Sequence, residues 1–179
     1  VVRREFRRLW TEREALIIIV ADHGETLDEE GHGKKYEHNT VYEEVARVPL
    51  IVRLPGDPVP GTVVHAPVST LDIMPTILKV ADMPMPRNHN AQGVSLMPLA
   101  QGTEQEHHLL RPIFFEATDR YGTGVKSGNL KYLLLHNSVA YFQDPEAQIT
   151  EQLFDLEKDP GEHHNLAGTP HPQLPQLRK

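Results

Sequence analysis

Residues 21–39, ADHGETLDEEGHGKKYEHN, hold three histidines and six carboxylates. Among them Asp22 and His23 are adjacent, and together they offer a carboxylate oxygen and an imidazole nitrogen. Proteins bind divalent metals with such ligands when the backbone holds them rigidly. Two ligands do not complete a metal site, so the others must come from elsewhere. The plain alternative is a turn with a polar tip, because short motifs often match by chance.

The apolar run before this pair, ALIIIVAD (15–22), predicts the strand that positions it. Continuous runs rich in β-branched residues are typical of strands covered on both faces, as in parallel sheets. Asp22 and His23 then follow the carboxyl end of the strand, where ligands gather in open α/β sheets. Residues 24–41 are polar and contain glycine, which predicts a loop. RVPLIVRLPG (47–56) predicts a second buried strand that ends in a Pro-Gly turn.

Two segments have the periodicity of helices. STLDIMPTILKVADM (69–83) predicts a helix with Ser69 or Thr70 as its N-cap. Pro75 fits that helix only if it lies close to the start. Residues 3–14 alternate charged and apolar groups, which predicts an amphipathic helix.

The last third of the chain changes character and predicts short antiparallel strands separated by turn residues. These strands are predicted in GVKSGNLKYLLLHN (124–137) and EQLFDLEKDP (151–160), and PIFFEA (112–117) predicts a further short strand before them. Lys126 and Lys131 flank one of them, and we expect both to face solvent. The tail from Gly161 is rich in His, Pro and Gln, so we expect it to be loosely ordered around a short helix.

Composition limits the classes of function. The chain of 179 residues is about one domain in size, and its net charge of -7 argues against nucleic-acid binding. It has no cysteine, so these residues hold no disulfide, thiolate metal site or cysteine nucleophile. The longest apolar run, residues 15–21, is far shorter than the ~20 residues that span a bilayer. The start VVRREF predicts that the sequence is part of a longer protein.

Several segments, taken in order, resemble the C-terminal half of the type I sulfatases of the alkaline phosphatase superfamily. They are DHGETLDEEGHG (22–33), YEEVARVPLIVRLPG (42–56), VSTLDIMPTILKVADMPMP (68–86), QGVSLMPLAQG (92–102), VKSGNLKYLL (125–134) and EQLFDLEKDPGEHHNL (151–166). The resemblance implies an α/β fold, in which an alkaline phosphatase-like sheet edge is followed by a small C-terminal α+β antiparallel subdomain. Residues 1–103 would be the C-terminal part of the catalytic domain, without its N-terminal part, and residues 104–179 the small subdomain.

The resemblance also implies an activity. Sulfatases of this type cleave sulfate esters with a divalent metal and a formylglycine nucleophile, and the formylglycine motif lies upstream of the region that this chain resembles. Asp22 and His23 match the family's second pair of metal ligands. Calcium is the metal that the family suggests, with magnesium, manganese or zinc as alternatives. The full-length protein would be a sulfuric ester hydrolase, whereas the isolated chain would be inactive.

One position departs from the family pattern. Many sulfatases carry a lysine four residues before the tyrosine that corresponds to Tyr42, and here that residue is His38. A protonated histidine can donate to the sulfate oxygen or act as general acid, so His38 is the candidate catalytic residue. Glu25, His32 and Lys35 are candidates for support of the ligands or for contact with substrate. Because position 38 varies, a phosphoester or phosphonate ester hydrolase of the same superfamily is an alternative.

The expected partner is a small-molecule or glycan sulfate ester, without nucleic acid and without a transmembrane segment. The oligomeric state is open, and a periplasmic or secreted location is suggested only by the family. A second class of function is a catalytically silent, truncated module for folding or binding, because these residues hold no nucleophile. Metal uptake by the chain and by Asp22→Ala distinguishes the two classes.

Overall fold

The computed structural model describes residues 15–27, 32, 38–56, 61–86, 90, 92–103, 111–117, 122–136 and 149–178. Contacts divide the chain into two compact units. The first unit combines residues 1–20 with 49–110, and the second unit combines 21–48 with 111–179. The second unit therefore contains Asp22 and His23 and is discontinuous in sequence. The predicted boundary between residues 103 and 104 stays a prediction.

The described residues contain short helices and strands. In chain order they are β1 (Ile17–Val20), α1 (Glu43–Ala46), β2 (Leu50–Arg53), a 3-10 turn (Thr70–Asp72), α2 (Ile73–Val80), α3 (Met97–Ala100), β3 (Ile113–Glu116), β4 (Gly122–Ser127), β5 (Leu130–His136), β6 (Ile149–Asp155) and α4 (Leu174–Leu177). No helix in these ranges is long and apolar enough to cross a membrane.

In the first unit, β1 and β2 form an antiparallel ribbon with Val20 opposite Leu50. The expectation of strands buried on both faces in a parallel sheet is wrong for the described residues, since Ile19 is 57% exposed and Ile51 is 58% exposed. An apolar run indicates that a segment is suited to burial, but it does not identify the elements that would cover that segment. Among the described residues the two strands pair with each other, and apolar side chains on their faces are exposed.

The helix predicted in the first unit forms, and Ser69 is its N-cap. The hydroxyl of Ser69 accepts from Leu71 N at 3.2 Å, and the Asp72 carboxylate accepts from Ser69 N at 2.8 Å. This reciprocal capping box starts the 3-10 turn that leads into α2. Pro75 lies in the first turn of α2, where its missing N–H removes no helical hydrogen bond. The helix predicted for residues 3–14 lies outside the described residues.

The second unit is built on a four-stranded antiparallel sheet in the order β3-β4-β5-β6. The three segments predicted as strands are confirmed, and the two predicted as antiparallel strands pair in that way. Gly128 has φ 57° in the tight turn between β4 and β5, a conformation that glycine adopts without strain. The central strand β5 pairs with β4 on one side and with β6 on the other.

Both faces of this sheet are covered. On one face Tyr42, which directly precedes α1, packs with Leu133 and Phe154. On the other face Leu174 of α4 packs with Leu153. The short helix expected in the tail is therefore present and belongs to the core. The segment of α1 is thus fixed to the sheet, and this anchoring matters for the site.

Candidate functional site

Asp22 and His23 follow the end of β1 after one residue, Ala21. The Asp22 carboxylate accepts a hydrogen bond from the backbone N–H of His23 at 2.9 Å. That bond, with the N–H of Asp22 itself and the nearby His23 ring, holds the pKa of Asp22 below its ordinary value of 3.8. The Asp22 side chain is 88% exposed, and its second oxygen lies 3.7 Å from Nε2 of His23. The pair thus offers an ionised carboxylate and an imidazole nitrogen side by side.

The hydrogen bonding of His23 decides which nitrogen is available. Nδ1 of His23 lies 2.7 Å from the carbonyl oxygen of Gly24, which can only accept. Nδ1 must therefore carry the proton, so in the neutral ring Nε2 keeps its lone pair. Metal-binding histidines commonly donate their second N–H to a carbonyl in this way. Metal–ligand distances are about 2.0–2.6 Å, so two atoms 3.7 Å apart can bind one ion.

His38 lies against this pair. Its ring stacks on the ring of His23 with centroids 4.3 Å apart and planes inclined by 21°. Nδ1 of His38 faces an oxygen of Glu25 at 3.5 Å, and both side chains are about half exposed. The other Glu25 oxygen is buried without a hydrogen-bond partner among the described residues. The structure thus brings together Asp22, His23, Glu25 and His38.

His32 lies in a buried part of the second unit. Its Nδ1 lies 3.0 Å from a carboxylate oxygen of Glu44, and its Nε2 lies 3.1 Å from the carbonyl oxygen of Glu162. Both atoms that the ring nitrogens face can accept a hydrogen bond. The ring also stacks on Tyr42 with centroids 3.9 Å apart. Both nitrogens of His32 are therefore engaged within the protein.

The described ranges limit what can be said of two site predictions, the role of Lys35 and the set of metal ligands. Lys35 lies outside them, so its proposed role stays a prediction. Within the described part of the chain, no three or more histidines, aspartates or glutamates are grouped to hold a metal. The role of Asp22 and His23 as metal ligands therefore stays a prediction, and the described residues do not complete a set around them.

Sequence analysis missed a buried charge network beside α1. Lys131 was expected to face solvent, but its side chain is 0% exposed and its Nζ lies 2.9 Å from carboxylate oxygens of both Glu43 and Glu162. Lys126 is also only 26% exposed, with its Nζ 3.5 Å from Glu43. A lysine within the apolar run LKYLLL was the available signal, because a central strand leaves few positions open to water.

Burial and charge act differently on the two acids of this network. Burial would raise the pKa of Glu43, but the charges of Lys131 and Lys126 outweigh burial and lower the pKa below 4.5. For Glu162 burial prevails over Lys131 and raises the pKa above 4.5, with repulsion from Glu43 in the same direction. The two lysines thus favour the ionised form of Glu43, whereas burial disfavours the ionised form of Glu162.

Comparison with known proteins adds independent evidence. The family model described as "N-sulphoglucosamine sulphohydrolase, C-terminal" matches residues 31–177. The chain is 36% identical to a choline-sulfatase of Rhizobium meliloti over 159 residues, which cover 88% of the chain and 28% of the relative. It is 33% identical to human arylsulfatase K over 158 residues, covering 87% of the chain and 28% of that protein. The chain thus spans little more than a quarter of the length of either relative.

A solved structure supports the fold. A protein crystallised in complex with its substrate D-glucosamine-2-N,6-O-disulfate superposes with a TM-score of 0.65 at 21% identity. The superposition covers 94% of this chain and 33% of that protein. The predicted α/β fold class is confirmed.

Proposed function

Because this chain belongs to the family of N-sulphoglucosamine sulphohydrolase C-terminal regions, we propose that it is the C-terminal part of a sulfatase-like hydrolase that cleaves sulfate esters. The family match over residues 31–177 is the observation that carries this proposal. Sulfate is also the group named in both relatives, a choline-sulfatase and an arylsulfatase. Their alcohols differ, so the substrate class is a small-molecule or glycan sulfate ester.

Asp22 and His23 are the proposed ligands of a divalent metal. Calcium is suggested by the family, and magnesium, manganese and zinc are alternatives with the same types of ligand. The donor set fits such an ion, because an ionised carboxylate faces an imidazole nitrogen whose ring is oriented by Gly24. Bound there, the metal would act as a Lewis acid toward the ester oxygens. A formylglycine nucleophile would have to come from residues outside this sequence.

His38 is the proposed donor to the substrate. Its ring contacts the ring of His23 and is about half exposed, so a sulfate ester held beside Asp22 can reach it. Glu25 faces Nδ1 of His38, which leaves Nε2 for the substrate. A protonated ring would donate to an ester oxygen and transfer its proton to the departing alcohol. The carboxylate of Glu25 would orient the ring.

Because this chain has His38 where many sulfatases carry lysine, hydrolysis of a phosphoester or phosphonate ester is the alternative function. A phosphoester or phosphonate ester has a similar tetrahedral oxyanion, and a histidine donor suits it equally well. The experiment that separates these functions is an assay of the complete natural protein with 4-nitrophenyl sulfate and 4-nitrophenyl phosphate. We expect kcat/KM to favour the sulfate ester at least 10-fold.

The same preparation gives a test of the metal site. Metal content of Asp22→Ala and His23→Ala should fall, while His164→Ala, in an exposed turn, serves as control. Preference for the phosphate ester would establish the alternative. Absence of both activities with intact folding would support the silent binding module.

A further inference from the structure

We propose that Glu43, Lys131 and Glu162 form a buried charge network that positions the ring of His23 through α1 and Gly24. Lys131 and Glu43 are then positioning residues, since their ion pairs are with each other, with Lys126 and with Glu162 rather than with Asp22 or His23. The inference deepens the proposed function, on which its reference to a metal rests. The connection from the network to Gly24 follows from hydrogen bonds and distances and does not depend on a bound metal.

The first step is the network itself. The ammonium of Lys131 is fully buried and lies 2.9 Å from Glu43 and 2.9 Å from Glu162. A charge inside a protein is stable only with partners in good geometry, so removing one of them leaves the others without compensation. Lys131 lies on β5, the central strand of the sheet, and therefore gives Glu43 a fixed point of attachment.

The second step leads from the network to α1. Glu43 is the first residue of α1, and its backbone N–H donates to the carboxylate of Glu162. Glu44, the next residue, holds His32 through its carboxylate at 3.0 Å. The first two residues of α1 are therefore both tied to buried side chains. A helix of four residues has little internal stability, so these ties define its place.

The third step leads from α1 to the site. The carbonyl oxygen of Val45 accepts a hydrogen bond from Gly24 N at 2.9 Å. Gly24 also lies so close to α1 that a Cβ atom on it would be 1.9 Å from the carbonyl oxygen of Glu44. Only glycine permits this approach. The peptide of Gly24 is therefore seated directly on the backbone of α1.

The last step leads from the Gly24 peptide to the ring of His23. The carbonyl oxygen of Gly24 lies 2.7 Å from Nδ1 of His23 and sets the direction of the ring. A displacement of α1 therefore shifts the Gly24 peptide and turns the nitrogen that faces Asp22. Partners behind a metal ligand typically change metal affinity by about 10–100-fold when removed.

The test uses Glu43→Gln in the complete natural protein, because glutamine keeps the shape of the side chain and removes only its charge, so that Lys131 retains Glu162 alone. Glu151→Gln is the matched control: it removes a carboxylate from the same sheet, where Glu151 pairs with Arg178. The first readout is hydrogen exchange of the metal-free protein in the peptide that contains Gly24. The second is the affinity for Ca²⁺ and Mn²⁺ by calorimetry.

We expect Glu43→Gln to speed exchange at Gly24 about 10-fold and to weaken metal binding about 10-fold, the low end of the range for such partners. Glu151→Gln should change neither by more than about twofold. Unchanged exchange and affinity in Glu43→Gln, or equal changes in the control, would overturn the proposal. Faster exchange in a protein that binds no metal would retain the positioning network and reject the metal site.

A second variant covers the case in which Glu43→Gln does not fold. Lys126→Met removes the outer cation that faces Glu43 at 3.5 Å and leaves the pair with Lys131 in place. We expect about threefold faster exchange at Gly24. Exchange equal to that of the unaltered protein would overturn the proposal.

Discussion

Replacing Gly24 by alanine should break the contact between α1 and the segment that carries Asp22 and His23. The added Cβ would lie 1.9 Å from the carbonyl oxygen of Glu44 and 3.1 Å from Cα of Val45. Side-chain carbons essentially never approach backbone atoms within 3.0 Å, so Gly24 or α1 must move by more than 1 Å. That movement breaks the 2.9 Å hydrogen bond between Gly24 N and Val45 O.

The expected cost follows from these two changes. Overpacking of a tight contact destabilises by about 1–3 kcal/mol, and a lost hydrogen bond adds about 0.5–1.5 kcal/mol. We therefore expect Gly24→Ala to reduce the free energy of unfolding of the complete protein by roughly 2–4 kcal/mol. At a urea dependence of about 2 kcal/mol per molar, the midpoint shifts by roughly 1–2 M.

Urea unfolding followed by circular dichroism measures this shift, and Gly168→Ala is the matched control. Gly168 has no atom within 4 Å of an added Cβ and no positive φ, so its substitution should stay within about 0.5 kcal/mol. If Gly24→Ala unfolded at the same urea concentration as Gly168→Ala, the close seating of Gly24 on α1 would be refuted.

Three further predictions concern metal, substrate and pH. The isolated chain should bind Ca²⁺ more weakly than micromolar in calorimetry, since the described residues contain no group of three or more possible ligands; a tighter site abolished by Asp22→Ala would contradict this. In the complete protein, His38→Ala should lower kcat by about 10²-fold or more while metal content stays the same. Unchanged turnover would make His38 an ordinary loop histidine. Because the folded-state pKa of Glu43 is lowered, its contribution to stability is complete above 4.5 and is lost as pH falls through the folded pKa. Thermal unfolding of Glu43→Gln should therefore depend less on pH below 4.5 than that of the unaltered protein, and parallel curves would contradict the ion pair.

Local patterns were sufficient for much of this chain. The strands of the C-terminal sheet alternate with turn residues. Ser69 precedes its helix and caps it with its own side chain. Asp22 and His23 could be selected because two ligand types follow an apolar run without a gap. In each case the residues that decide the structure are neighbours in sequence.

The remainder depends on contacts between distant residues. Lys131 is buried because Glu43, 88 positions away, and Glu162 neutralise it, and no spacing within β5 records those partners. His32 likewise finds its acceptor 130 positions later. The pairing of β1 with β2 could not be predicted for the same reason, since the apolar character of a strand does not specify its partner strand.

The contact between His32 and Glu162 also sets an order of events during synthesis. A ribosome adds about 5–20 residues per second, so the 130 positions between them take roughly 7–26 s. Lys131 and the strands that cover Tyr42 are made within that interval, and Glu162 follows them as the last of these partners. The contacts that bury His32 are therefore completed only after all four strands of the C-terminal sheet have been made.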